Sequence, residues 1–257
     1  MKAQEQFVAF RTILRKEVRR FIRIWPQTLL PSAITMSLYF VIFGSLIGSR
    51  IGEMGGFSYM EFVVPGLIMM AIVTNSYSNV VSSFFGSKFN HSVEELLVSP
   101  TPNYVILMGY VSGGVIRGLL VAMIVTTVSL FFTRLHIHSI GVVVIGVILT
   151  SILFALAGFI NAVFANSFDD ISIIPTFVLT PLIYLGGVFY SLDLLPDFWA
   201  AVSKLNPLFY VVNAFRYGVL GVADVNVNVS FAILFGFTVA AFSYSLYLLN
   251  SGTRLRQ

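Results

Sequence analysis

The sequence predicts an all-α membrane protein: six transmembrane helices, an amphipathic helix at the membrane surface before them, and a short helical pair, re-entrant or lying at the outer surface, before the last span. Three observations carry this. Hydrophobic residues are 57% of the 257 and charged ones 10%, with a mean hydropathy of +0.91, outside the range of a soluble domain. Six apolar runs, at about 26–47, 60–85, 104–132, 139–166, 171–189 and 227–250, approach or exceed the roughly 20 residues that cross a hydrocarbon core about 30 Å thick. Lysine and arginine are distributed unevenly between the connections, as membrane topology requires.

Residues 1–25 place Phe7, Phe10, Leu14, Val18 and Phe21 at helical spacing and fill the rest with Arg11, Arg15, Lys16, Arg19, Arg20 and Arg23. That is a basic amphipathic helix suited to a membrane surface. A cleaved signal peptide is not expected, because the polar lead is long and no small-residue cleavage site follows the apolar run. The six runs are expected to be helical because lipid offers no partner to an open backbone. With both ends inside, the cytoplasmic side collects Lys2, Arg11, Arg15, Lys16, Arg19, Arg20, Arg23, Lys88, Arg254 and Arg256, against Arg50, Arg134, Lys204 and Arg216 outside. The net charge of +4 is thus mostly at the two ends, which argues for topology and against nucleic acid.

This orientation makes the polar stretch 87–103, SKFNHSVEELLVSPTPN, cytoplasmic. Ser92 stands three residues before Glu95, a capping-box spacing, and Glu94 and Glu95 suit the start of a helix. Pro100 and Pro102 stop it. About two turns remain, with Val93, Leu96 and Leu97 on one side, too short to hold alone. The stretch is either a solvated connector or a docking helix for a soluble partner. The outer connection 190–226 reads as two proline-opened helices: 196–205, preceded by Asp193, and 207–220, capped by Asn206. The second, about 21 Å long, cannot span. Its apolar residues and the nearby Trp199 and Tyr210 suit a dip into the outer leaflet or its surface. A seventh span there would carry Arg254 and Arg256 outside. One membrane domain is expected to fill residues 1–257.

Few chemistries remain open. With no cysteine there is no thiol nucleophile or thiolate metal site, and His136 and His138 lack a third ligand nearby, so no metal is expected. Gly86-Ser87-Lys88 lacks the spacing of a phosphate loop. No Asp or Glu lies near the middle of a run, which leaves ion coupling without a carboxylate. Arg117, midway along the third run, either contacts an anion or is paired or snorkelling. Asn75, Asn79 and Ser82 form a polar stripe on the second run that either lines a pathway or binds helices together. Gly109-x-x-x-Gly113 and Gly114-x-x-x-Gly118 point to close helix packing.

Three stretches together resemble one family, the permease subunits of type-2 ABC transporters. They are Phe62-Val-Val-Pro65-Gly66-Leu67; Glu94-Glu95-Leu96-Leu97-Val98-Ser99-Pro100; and Gly187-Val-Phe-Tyr-Ser191-Leu-Asp193-Leu-Leu-Pro196 followed by Leu205-Asn206-Pro207-Leu208 and Ala214-Phe-Arg216. They are similar to the family's F-x-x-P-G-L, E-x-L-L-x-S-P and G-V-F, L-N-P-L and A-x-R segments in the same order. Ser191 replaces a frequent proline, and Ser92-Val93 a glycine-threonine pair. The resemblance implies a bacterial inner-membrane exporter permease with both termini cytoplasmic, dimerising and pairing with two copies of a separate ATPase that binds ATP and Mg. This chain itself would bind no cofactor and would not be an enzyme. The Phe7, Phe10, Leu14, Val18, Phe21 face and the segment Val93, Glu94, Glu95, Leu96, Leu97, Val98 would meet the ATPase. Asn75, Asn79, Ser82, Thr176, Thr180 and Tyr184 would line the path. The rival reading is a passive channel or membrane scaffold.

Overall fold

The computed structural model describes residues 1–252; Arg254 and Arg256, used in the orientation argument, lie outside the described residues. α1 (Ala3–Arg23) starts where the Glu5 carboxylate accepts from the Lys2 backbone N–H. It gives way to α2 (Trp25–Thr28) and α3 (Leu30–Phe40), each with proline in its first turn, where a missing N–H costs nothing. The helix then widens to a π turn over Val41–Ile47 and closes in α4 (Gly48–Ile51).

A two-residue hairpin follows, β1 (Glu53–Met54) antiparallel to β2 (Phe57–Ser58), with Gly55 and Gly56 at positive φ. Ser58 then caps α5 (Tyr59–Phe89) in a reciprocal box with Glu61. Next come α6 (Ser92–Val98), α7 (Asn103–Ser129) and α8 (Ile140–Phe164).

The fifth apolar run becomes α9 (Asp170–Ile174), a π turn over Pro175–Leu179 and α10 (Thr180–Tyr184). Backbone N–H groups of Asn166 and Ser167 and the Ser167 hydroxyl hold the Asp170 carboxyl below its usual range. α11 (Asp197–Leu205) and α12 (Pro207–Leu220) follow, and α13 (Val227–Ser251) ends the described chain.

Five helices among the described residues are long and apolar enough to cross a membrane: Trp25–Gly44, α5, α7, α8 and α13. The fifth expected span departs from this. The stretch Asp170–Tyr184 is shorter than a crossing needs, because Pro175 and Pro181 remove two backbone donors and the ladder reorganises around them. The Pro175 carbonyl accepts from both the Thr180 backbone N–H, in the wider π pattern, and Thr180 Oγ1 at 2.8 Å.

α5 is the axis of the bundle. Its residues are buried almost all the way round by α7, α8 and α12. Contact is closest where glycine removes a side chain: a Cβ on Gly158 of α8 would lie 2.5 Å from the Tyr77 carbonyl, and one on Gly114 of α7 3.0 Å from the Ser76 carbonyl. A Cβ on Gly146, on the same helix as Gly158, meets nothing within 4 Å. Gly158→Ala is therefore expected to cost about 1–3 kcal/mol through overpacking. Gly146→Ala is expected to be neutral or to stabilise by up to about 1 kcal/mol, since glycine weakens a helix interior. Thermal melting of the two variants in one detergent checks the contrast.

Candidate functional site

The end of α5 and the start of α6 are tied down separately. Buried Lys88 donates to the Val163 and Ala165 carbonyls, both at 2.8 Å, and so satisfies the open end of α8. His91 then takes a left-handed conformation (φ 57°) and its ring stands 3.0 Å from Glu94 Oε1. The expected Ser92 and Glu95 capping box is not formed. His91 is the capping position, and the Ser92 hydroxyl donates to the Ser87 carbonyl of α5 instead.

Within α6, Val93 is buried and Leu96 and Leu97 pack partly against the bundle. Glu94 is partly exposed, Glu95 is exposed, and Val98 is 88% exposed at the tip.

α1 seats on α7. Tyr104 Oη donates to Gln6 Oε1 at 2.7 Å, Ile13 fills the notch at Gly109, and the Glu17 stem fills the notch at Gly113. Of the expected apolar face, Phe21 is buried and Phe10, Leu14 and Val18 are half-buried. Phe7 remains 64% exposed.

The residue that sequence reasoning missed is Glu17, which is wholly buried. Among six basic residues it reads as part of a solvated face. The available signal was the match of Ile13 and Glu17, four apart, to Gly109 and Gly113, four apart.

A polar layer joins α1, α5 and α7. Ser83 Oγ donates to Glu17 Oε1 at 2.7 Å, and Arg20 and Lys16 stand 3.5 and 3.6 Å from the same carboxylate. Arg20 Nη2 donates to the Asn79 carbonyl at 2.8 Å and to its Oδ1 at 2.9 Å. Lys16 reaches the Tyr110 hydroxyl and lies over its ring. Arg117 Nη2 donates to Asn75 Oδ1 and to the Thr28 carbonyl, each at 3.0 Å, and Asn75 Nδ2 donates to Ser32.

Arg117, midway along its own helix, therefore meets the first span near its start. Asn75 and Asn79 are buried in this layer, while Ser82 is exposed. The outward stripe of α5 lies one position away: Met70, Thr74, Ser78, Ser82 and Gly86, partly or fully exposed at every fourth residue. Thr176, Thr180 and Tyr184 are also exposed, and Tyr184 Oη lies 3.5 Å from Tyr39 Oη.

A family model for the ABC-2 type transporter matches residues 8–220. The chain belongs to that family. It is 58% identical over 250 residues to the inner membrane transport permease YadH of Escherichia coli K12, covering 97% of this chain and 98% of that protein. It is 22% identical over 239 residues to nodulation protein J of Neorhizobium galegae, covering 93% and 91%.

Of the three stretches that carried the ABC-2 resemblance, the first and third converge at the end of α5 remote from α6, while the second is α6 itself. A Cβ on Gly66 would lie 2.9 Å from the Val188 backbone. The buried Arg216 donates to the Gly187 carbonyl, stacks 3.9 Å over the Phe62 ring and pairs with Asp224 at 3.7 Å. Asn206 caps α12 and donates to the Leu182 carbonyl at 2.6 Å. In this ABC-2 chain the segments before the last span are thus one packed cap.

At the other end, Glu17→Leu removes the only carboxylate of the polar layer among the described residues and leaves Lys16 and Arg20 uncompensated. It is expected to release α1, raising the rate of trypsin cleavage at Arg11, Arg15 and Arg19 several-fold while α5 to α13 stay intact, as limited proteolysis in detergent would show.

Proposed function

We propose that the chain is the membrane-spanning permease subunit of a bacterial inner-membrane ABC exporter, forming the translocation pathway and coupling to a separate ATPase subunit. ATP and Mg are bound on that partner, and two permeases assemble with two ATPases. The carrying observation is the construction of α6: a short helix anchored through Val93, with Val98 and the two glutamates outward, joined to the axial helix of the bundle by the two-residue turn at Asn90 and His91. A force on α6 reaches α5 directly. Family membership and the name of the E. coli relative supply the rest. In this reading the apolar Phe7 and Val8 of α1, left uncovered near the same end, extend the surface that the ATPase grips.

The path runs along the exposed stripe of α5 and along Thr176, Thr180 and Tyr184, with Asn75 and Asn79 immediately behind. The six-crossing topology, with both termini cytoplasmic, follows if the short stretch Asp170–Tyr184 completes a crossing. It begins beside Phe85 and Phe89, which pack on Phe168, and ends beside Tyr39 and Phe189, the latter accepting from Tyr59 at the opposite end of α5. α12 reaches from that end inward to Met69 and Val73, which supports a re-entrant placement.

Affinity purification of the tagged chain from its own host in mild detergent is expected to recover a soluble ATPase. Val98→Asp, which alters only an exposed tip, and Glu94→Ala with Leu97→Ala are expected to lower that recovery at least tenfold while the chain remains folded. Abundant folded chain without any ATPase would sink the reading and leave a channel or scaffold.

A further inference from the structure

We propose that Arg20 and Arg117 form a binding site for the phosphate headgroup of an amphiphile, where α1, α5 and α7 meet near the cytoplasmic edge of the membrane. Arg20 holds Asn79 and Arg117 holds Asn75, successive turns of one face of α5, so the two guanidiniums stand roughly one helical pitch, about 5 Å, apart. Around them three cations, Lys16, Arg20 and Arg117, face a single carboxylate, Glu17. Arg117 is held by a carbonyl and an amide, both neutral.

Spare donors point to what is missing. The hydrogen bonds of Arg117 among the described residues all leave through Nη2, so its Nη1 has none, and Arg20 Nη1 has only a long contact to a serine hydroxyl. A guanidinium offers five N–H groups in a fork that matches a phosphate. Two such forks with surplus positive charge are an anion site.

The pair borders an open strip of α5. Arg20 Nη1 reaches the exposed Ser82 at 3.5 Å, and Ser82 continues through Ser78 and Thr74 to Met70, along the one uncovered strip of a helix otherwise enclosed. Hydroxyls near the arginines, together with the exposed apolar Leu30, Ile34 and Leu38 of the first span, fit a phosphate carried on acyl chains. Thr28, which Arg117 contacts, lies near the start of the first span, the level at which inner-leaflet phosphates stand in the orientation proposed above. This deepens the permease reading by naming the chemistry of the cargo; only the word cargo rests on that reading.

The test uses the full chain in uncharged detergent, without an ATPase. Binding of phosphatidylglycerol is measured against diacylglycerol with the same chains and against sn-glycerol 3-phosphate. One saturable site is expected, at least tenfold tighter for phosphatidylglycerol than for diacylglycerol. Arg20→Gln and Arg117→Gln are each expected to weaken it tenfold or more. Ser82→Glu, at an exposed position, is expected to do the same by setting a carboxylate beside Arg20, and decides the matter should Arg117→Gln not fold.

The double variant Arg15→Gln/Arg19→Gln, on the exposed side of α1, is expected to leave the affinity unchanged. Equal affinity for sn-glycerol 3-phosphate would keep the anion site and overturn the amphiphile. Phosphatidylglycerol binding that survives Arg20→Gln, Arg117→Gln and Ser82→Glu, or that falls equally in Arg15→Gln/Arg19→Gln, overturns the proposal. Loss of ATPase recovery in the earlier experiment would not touch this result, nor this result that one.

Discussion

Backbone against backbone contact between α5 and its neighbours is the constraint on which the rest of the structure depends. Lipid gives apolar helices no hydrophobic reason to associate, so their packing rests on van der Waals contact and on polar groups with nowhere else to go. Both are present. Gly114, Gly118 and Gly158 let α7 and α8 approach the Ser76 and Tyr77 segment of α5, where even one methyl group would collide. Buried hydroxyls and amides of Asn75, Asn79 and Ser83 supply the polar contacts. Once α5 is enclosed in this way, its ends become the places where something outside the bundle can act.

The two ends are built from different materials. Away from α6, Arg216 joins Gly187, Phe62 and Asp224 within a shell of packed side chains, and breaking such a buried pair costs about 3–5 kcal/mol. Near α6 the charges are only partly withdrawn from solvent: the Lys16 and Arg20 side chains keep 49% and 27% exposure, so each contact there is individually weaker. A firm cap at one end and a compliant polar layer at the other suit a membrane protein worked from one side.

The parts legible in the sequence were those fixed by local rules. Apolar length marked the five helices long enough to cross, Asn206 before Pro207 marked the start of α12, and Pro100 and Pro102 marked the end of α6. What escaped depends on a neighbour distant in sequence. Ser92 had two acceptable uses for its hydroxyl, and the Ser87 carbonyl at the end of α5 won over a local cap. Glu17 looked like surface until α7 offered a glycine notch and Ser83 a donor. The hairpin at residues 53–58 rests on three glycines at positive φ, Gly52, Gly55 and Gly56, a signal present in the sequence but overshadowed by the apolar runs beside it. Asn75 and Asn79 were correctly read as facing protein or water; which of the two depends on Arg20 and Arg117 arriving from other helices.

Helix length explains why so many charges can collect at one level. α5 has 31 residues and α7 has 27, about 46 and 40 Å of helix, against a hydrocarbon core of about 30 Å. Each therefore has 10 Å or more to spare. The cap around Phe62 and Arg216 is too near one end of α5 to use that surplus, so the excess lies at the other end, from about Asn79 to Phe89. There α1 runs beside the first turns of α7, and Arg117, Arg20, Glu17, Lys16 and Lys88 meet in succession. Arg20, held at Asn79, thus sits at the edge of the core, and Arg117, held at Asn75, about one turn inside it, within snorkelling reach of the headgroups and of an anionic partner there.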